Sequence, residues 1–225
     1  MTASARGLFH VTGKRSKPVH TRDSLTGDIV TAPVLERRAG EFYATPPEPT
    51  RAVLAVEGVR LRQFPAIWEP AAGNGAIVRE LEAVGLPVII SDLVDRGCGA
   101  IVRDFYAFDE APAAAIVTNP PFDQCSCKGA KARWIYHALE RLRVAYMALL
   151  LPWGWPGAAG LADLWRRFPP ARVYLMRWRV DFTGQGASPA LNAWFVWDCT
   201  HRGAPALLML DRVDARQSDF FGGAL

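Results

Sequence analysis

Ala66-Ile67-Trp68-Glu69-Pro70-Ala71-Ala72-Gly73-Asn74-Gly75-Ala76-Ile77-Val78 is the stretch that decides the fold. A short apolar run enters a turn with two glycines, and residues 76 to 84 then take helical spacing until Gly85 stops them. Strand, tight turn and helix in that order form the opening unit of an α/β architecture. Gly73 and Gly75 allow the backbone to turn sharply and to approach a ligand closely. No third glycine follows at the dinucleotide spacing, and no Lys-Ser or Lys-Thr follows the loop. Neither a full dinucleotide fingerprint nor a phosphate-cradling P-loop is therefore present.

The alternation continues on both sides. Residues 49–59 read as a helix with Pro49 or Thr50 near its start. Val88-Ile89-Ile90 is β-branched and ends at Ser91-Asp92, and a weaker strand covers Ala100 to Val102. Residues 113–118 are apolar and stop at Asn119-Pro120-Pro121. Lys131 to Arg143 has helical spacing, with Trp134, Ile135, Ala138, Leu139 and Leu142 on one side. Val144 to Leu151 reads as a buried strand, and Leu161 to Phe168 as a short amphipathic helix closed by Pro169-Pro170. Arg172 to Val180 and Ala193 to Asp198 flank a Gly-rich loop and are expected to pair antiparallel at a sheet edge. The expected fold is α/β: a Rossmann-like, mostly parallel sheet with helices on both faces and a closing antiparallel hairpin.

The bulk properties agree with one α/β domain. The chain has 225 residues, half of them hydrophobic, which is enough for a full core without a metal or disulfide staple. No apolar run reaches membrane-spanning length, the longest being Val144 to Leu151. The four cysteines lack a secretory signal and a zinc-ligand spacing, Cys125-Ser126-Cys127 being too tight. A cytoplasmic protein with no bound metal and no membrane contact is expected. Residues 1–40 carry seven Lys and Arg against three Asp and Glu, which accounts for the whole net charge of +4. They read as a flexible basic arm, either simply solvated or laid along phosphates, ahead of one domain over 41–225.

Three strand ends are chemically loaded, and in open α/β sheets ligands bind outside the carboxyl ends of the strands. The first is the Glu69-to-Gly75 turn. The second is Asp92, nineteen residues beyond Gly73, placed to accept hydrogen bonds from both hydroxyls of a nucleoside ribose. Asp104, near the next strand end, suits an adenine amino group, with Phe105 packing on the ring. The third and most specific is Asn119-Pro120-Pro121-Phe122. Consecutive prolines forfeit backbone donors at a central strand end, which makes sense where rigid carbonyl oxygens must face a ligand. An exocyclic amine needs such acceptors, because its lone pair is delocalised into the ring. The Asn119 side-chain oxygen and the Pro120 carbonyl can each take one N–H, while Phe122 offers its face to a planar base.

Taken in order, Tyr43-Ala44-Thr45-Pro46-Pro47, Glu69-Pro70-Ala71-Ala72-Gly73-Asn74-Gly75, Asp92, Asp104-Phe105 and Asn119-Pro120-Pro121-Phe122 resemble the motifs of class I amino-methyltransferases. Among these the chain most resembles DNA adenine-N6 methyltransferases of the small phage and prophage type, from about Phe42 to Asp198. The resemblance implies S-adenosyl-L-methionine as cofactor, with Tyr43, Thr45 and Pro46 at its methionine end. Glu69, Ala71, Gly73, Gly75, Asp92, Leu93, Asp104, Phe105 and Asn119 complete the implied cofactor site, and residues 119–122 carry the chemistry.

The implied acceptor is adenine N6 in DNA, flipped out of the duplex into a pocket capped by Phe122. Lys128, Lys131 and Arg133 follow the motif and are placed to hold phosphates, or else form a solvated loop. Trp153 and Trp155 are candidates for stacking on bases, with core packing the alternative for at least one. Phe182 and the Gly184-Gln185-Gly186 loop are candidates to close over the substrate. One departure stands out: no spare stretch of roughly 80 residues remains for a target-recognition segment. Selectivity is therefore expected to be low or carried by loops, and any protein partner is undefined. RNA bases and protein glutamine remain alternative acceptors, as does a non-catalytic nucleic-acid-binding role on the same scaffold.

Overall fold

The computed structural model describes residues 44–126, 132–182 and 190–212, with the backbone of two short antiparallel strands, β1 (His20–Arg22) and β2 (Ile29–Thr31). The rest of the basic arm, Tyr43, Lys128, Lys131 and the 184–186 loop lie outside the described residues.

Helix α1 (Pro47–Leu61) starts on a Pro46-Pro47 pair, where the missing N–H groups cost nothing and φ is already helical. It buries Ala52, Val53, Leu54 and Leu61 against the sheet. β3 (Ile67–Glu69) is buried at every residue, Trp68 in the apolar layer on one face of the sheet and Ile67 in the layer on the other. Gly75, at φ 77°, sits in the left-handed region that opens α2 (Ala76–Ala83), whose Ile77, Val78 and Leu81 face inward. β4 (Val88–Asp92) and the two-residue β5 (Ile101–Val102) continue outward from β3.

The chain then returns to the other side of β3. β6 (Ala115–Thr118) pairs parallel with β3, and α3 (Phe122–Cys125) follows it. The helix expected over 131–143 is a single α turn, α4 (Arg133–Tyr136), continued by a π turn at His137–Arg141. β7 (Tyr146–Pro152), α5 (Ala162–Arg167), β8 (Arg172–Met176), β9 (Asn192–Asp198) and β10 (Ala206–Leu210) complete the order.

One eight-stranded sheet results, in the order β10-β8-β9-β7-β6-β3-β4-β5, with β9 antiparallel to both of its neighbours. The expected antiparallel pair is present, but its position differs from expectation. β9 lies inside the sheet between β7 and β8, and β10, not foreseen, pairs parallel with β8 to form the edge. The interior position explains why Asn192 to Trp197 are buried throughout: both faces and both edges of β9 are covered.

Two apolar layers hold the sheet. Val117, Leu150 and Trp194 join α1 and α2 on one face, while Trp68, Trp134 and Phe195 join α4 and α5 on the other. On the α1 face, Glu57 accepts from Arg172 Nε at 2.6 Å and from the hydroxyls of Tyr174 at 2.5 Å and Tyr146 at 3.1 Å. Asp198 joins this network by accepting from Arg172 and from Nε and Nη2 of Arg60. These bonds outweigh desolvation and hold the Asp198 carboxyl well below the usual carboxylate range. No described helix is long and apolar enough to cross a membrane.

Candidate active site at the β3–β6 switch point

The strand order reverses between β3 and β6, so the loops leaving these two strands diverge and open a crevice at their carboxyl ends. Glu69-to-Gly75 leaves β3, and Asn119-to-Phe122 leaves β6. Both sequence-expected motifs therefore meet at the topological switch point.

Glu69 closes β3 and is 1 % exposed. Its Oε1 accepts from the Thr118 hydroxyl at 2.5 Å and from the Ala71 N–H at 3.2 Å, while its Oε2 is buried without a partner. Burial pushes the carboxyl up to about 8, the two hydrogen bonds opposing the shift and the nearby Asp92 charge adding to it. Gly73 and Gly75 both take positive φ, 57° and 77°. A Cβ on Gly75 would meet Cys98 Cβ at 3.0 Å, so the loop following β4 packs directly on the glycine turn.

Asp92 ends β4, next to that turn. Its Oδ2 accepts the Gly73 N–H at 2.7 Å, and its Oδ1 accepts the Val94 N–H at 3.1 Å and an Arg96 N–H at 3.3 Å. A carboxylate has about four acceptor directions, so the acid fixes the glycine turn and keeps capacity for a hydroxyl. Leu93 beside it is 66 % exposed, an apolar surface at the rim of the crevice. The following loop is folded around Asp95, whose Oδ1 accepts four successive N–H groups from Gly97 to Ala100.

Asn119 follows β6. Its Nδ2 donates to the Thr45 hydroxyl at 3.0 Å, which joins the segment ahead of α1 to the Asn-Pro-Pro-Phe motif. Its Oδ1 is shielded from solvent and accepts no hydrogen bond. Pro120 is buried, and Phe122 is half-buried at the start of α3. Thr45, Glu69, Ala71, Gly73, Thr118 and Asn119 thus form one connected set, with Asp92 joined to it through Gly73.

Other expected residues are placed differently. Asp104 is exposed and caps a short 3-10 turn by accepting the Tyr106 N–H, but Phe105 is only 6 % exposed. Its ring is stacked on Trp134 at 4.2 Å, with Trp68 at 5.4 Å, so it is part of the core and not a free platform for adenine. Arg133 lies 3.8 Å over the Tyr106 ring, and the Tyr106 hydroxyl donates to Gln124 Oε1 at 2.9 Å, on the Phe122 side of the crevice. Trp153 is half-buried, whereas Trp155 donates to the Cys125 carbonyl and packs edge-on against Phe195. Phe182 is half-buried against the α1-side core. Asn192, which the sequence did not single out, begins β9 at the same end of the sheet and is 4 % exposed, with an unpaired Oδ1. An asparagine at a strand start reads as a turn residue, and only its burial marks it.

Orphaned buried oxygens on Glu69 and Asn119, a glycine turn held in the left-handed region, and an acid at the neighbouring strand end fit a nucleoside cofactor. Among the described residues, no three His, Cys, Asp or Glu side chains come together as a metal-ligand set.

No family model and no curated protein matches the sequence. Among solved structures, the methyltransferase subunit of a type I restriction-modification system from Streptococcus thermophilus is similar, with a TM-score of 0.52 and 14 % identity. The match covers 79 % of this chain and 52 % of that one. A Listeria monocytogenes protein assigned to the class I S-adenosylmethionine-dependent methyltransferases gives a TM-score of 0.46 at 14 % identity, over 72 % of this chain and 63 % of the other. The chain thus spans less than two thirds of the length of either. The strand order, with β9 antiparallel inside the eight-stranded sheet, and the likeness to the restriction-modification methyltransferase subunit together give this chain the class I methyltransferase fold.

Proposed function

We propose that this protein is an S-adenosylmethionine-dependent methyltransferase acting on an exocyclic amino nitrogen, with N6 of adenine in DNA as the acceptor. The observation that carries the reading is Asn119 Oδ1, a shielded amide oxygen without a donor, set at the end of β6 beside the glycine turn. Buried acceptors are paired almost everywhere in native proteins, and an amine N–H supplies the missing bond. The Pro120 carbonyl takes a second N–H, and the two bonds draw the nitrogen lone pair out of the ring. Bound S-adenosylmethionine supplies an electrophilic methyl group on a sulfonium sulfur. Asp92 would accept from the ribose, Leu93 would offer apolar surface to the adenine, and Glu69 with the glycine turn would hold the amino-acid end. No side chain in this set has to act as a covalent nucleophile; rate comes from positioning and from desolvating the amine.

DNA is favoured by the resemblance carried by the Thr45-Pro46-Pro47 segment, which is joined to Asn119, and by the restriction-modification likeness. Arg133, and with it Lys128 and Lys131, is assigned to phosphates, and Phe122, Trp153 and Phe182 to the base. The test is transfer from labelled cofactor to unmethylated DNA, RNA and protein, followed by nucleoside and amino-acid analysis. Label in N6-methyladenine of DNA supports the reading. Label only in RNA or in glutamine moves the acceptor to that class. Cofactor binding without transfer to any of them leaves a non-catalytic scaffold.

A further inference from the structure

The Asn119 carboxamide has two ends of opposite character, and only the oxygen can take an N–H from an amine. Turned by half a rotation about its last bond, the same side chain would present N–H to N–H. Something must therefore set its polarity. In the structure Nδ2 donates to Thr45 Oγ1 at 3.0 Å, which leaves Oδ1 as the free end.

Thr45 is well suited to hold that end. It is 7 % exposed, so water competes poorly for its hydroxyl. It is followed by Pro46 and Pro47, whose rings fix φ and stiffen the segment as it enters α1. Within the first turn of the helix, the Pro49 carbonyl accepts the Trp194 indole N–H at 2.9 Å, tying the start of α1 to β9. The hydroxyl is thus carried on a braced segment that belongs to a different element from the residue it holds.

We propose that Thr45 is a positioning residue for methyl transfer: its hydroxyl orients the Asn119 amide so that Oδ1 faces the acceptor amine. This rests on the reading of the site as an amino-methyltransferase, and it assigns Thr45 a task distinct from contact with the cofactor. A residue that only holds the cofactor affects cofactor affinity. A residue that orients Asn119 affects turnover.

The test compares Thr45→Val, which keeps the shape and loses the hydroxyl, with Thr45→Ser, which keeps the hydroxyl. Thr45→Val is expected to lower kcat on DNA by about ten- to hundredfold while cofactor Kd stays within about twofold, and Thr45→Ser to restore most of kcat. In the Asn119→Ala background, Thr45→Val is expected to cost nothing further. A second readout needs no turnover: the Asn119 side-chain amide signal in the 15N-labelled protein, identified by its loss in Asn119→Asp, should move in Thr45→Val and stay in Thr45→Ser. Wild-type kcat in Thr45→Val, a loss confined to cofactor Kd, or an unmoved amide signal overturns the proposal. If the wild-type protein transfers no methyl group to DNA, RNA or protein, the reading of the site fails. The amide signal then still decides whether Thr45 holds Asn119.

Discussion

The Thr118 hydroxyl donates to Glu69 Oε1 at 2.5 Å, across the junction of the two central strands β6 and β3. This bond and the Ala71 N–H satisfy one carboxyl oxygen, while the other is buried without a partner. The glycine turn and the Asn-Pro-Pro-Phe loop are therefore coupled through a carboxyl group that burial keeps protonated at neutral pH.

A pH dependence of stability follows. Glu69 rises from an ordinary 4.5 to about 8 on folding, so between those values the folded chain holds a proton that the unfolded chain has lost. Its contribution is full below pH 4.5, declines as pH rises through the window, and is gone above about 8. Glu69→Gln removes that decline. Urea unfolding at pH 5, 7 and 9 should show the variant gaining on the wild type with rising pH, by a few kcal/mol, on the order of 1.4 per pH unit of window. Parallel pH profiles for the two proteins would count against a buried, protonated Glu69.

Phe105 gives a second expectation. Its ring is 6 % exposed and stacked on Trp134, so its removal leaves a cavity between β3 and α4. Phe105→Ala should cost about 3–5 kcal/mol of stability. A free adenine platform would instead give nearly unchanged stability and a large loss of cofactor affinity, which calorimetry distinguishes.

The third concerns Arg172, which holds Glu57 and Asp198 together at the far end of β8 from the crevice. Glu57 is 3 % exposed, so Arg172→Ala leaves a buried carboxylate short of its cation. A destabilisation of about 3 kcal/mol or more is expected, with cofactor Kd unchanged in the folded fraction. A midpoint shift worth under about 1 kcal/mol would mean that Tyr146 and Tyr174 alone stabilise the acid.

The central strands were legible because burial on both faces forces continuous apolar runs, as in Val144 to Leu151, and because Gly75 and the prolines punctuate them. The placement of Asn119 and Asp92 was legible for a related reason: parallel strands of an open sheet deliver their C-terminal residues to one edge. What was not legible depends on distant partners. β9 resembles any edge strand until β7 and β8 are seen to flank it. Ala206-Leu207-Leu208-Met209-Leu210 has no alternation, and Leu207, Leu208 and Met209 are all substantially exposed, so no period announces β10. Nothing near Phe105 in sequence signals that Trp134 takes its face, and nothing near Thr45 signals that its hydroxyl meets a residue 74 positions away.

The most direct measurement is methyl transfer from labelled S-adenosylmethionine to unmethylated DNA by the wild-type protein and by Asn119→Ala, with nucleosides resolved afterwards. Label should appear in N6-methyladenine with the wild type. It should fall by about a hundred- to a thousandfold with Asn119→Ala, while cofactor binding is retained. Undiminished transfer by Asn119→Ala, or a wild-type protein that binds the cofactor and labels no amino nitrogen, would contradict the assignment.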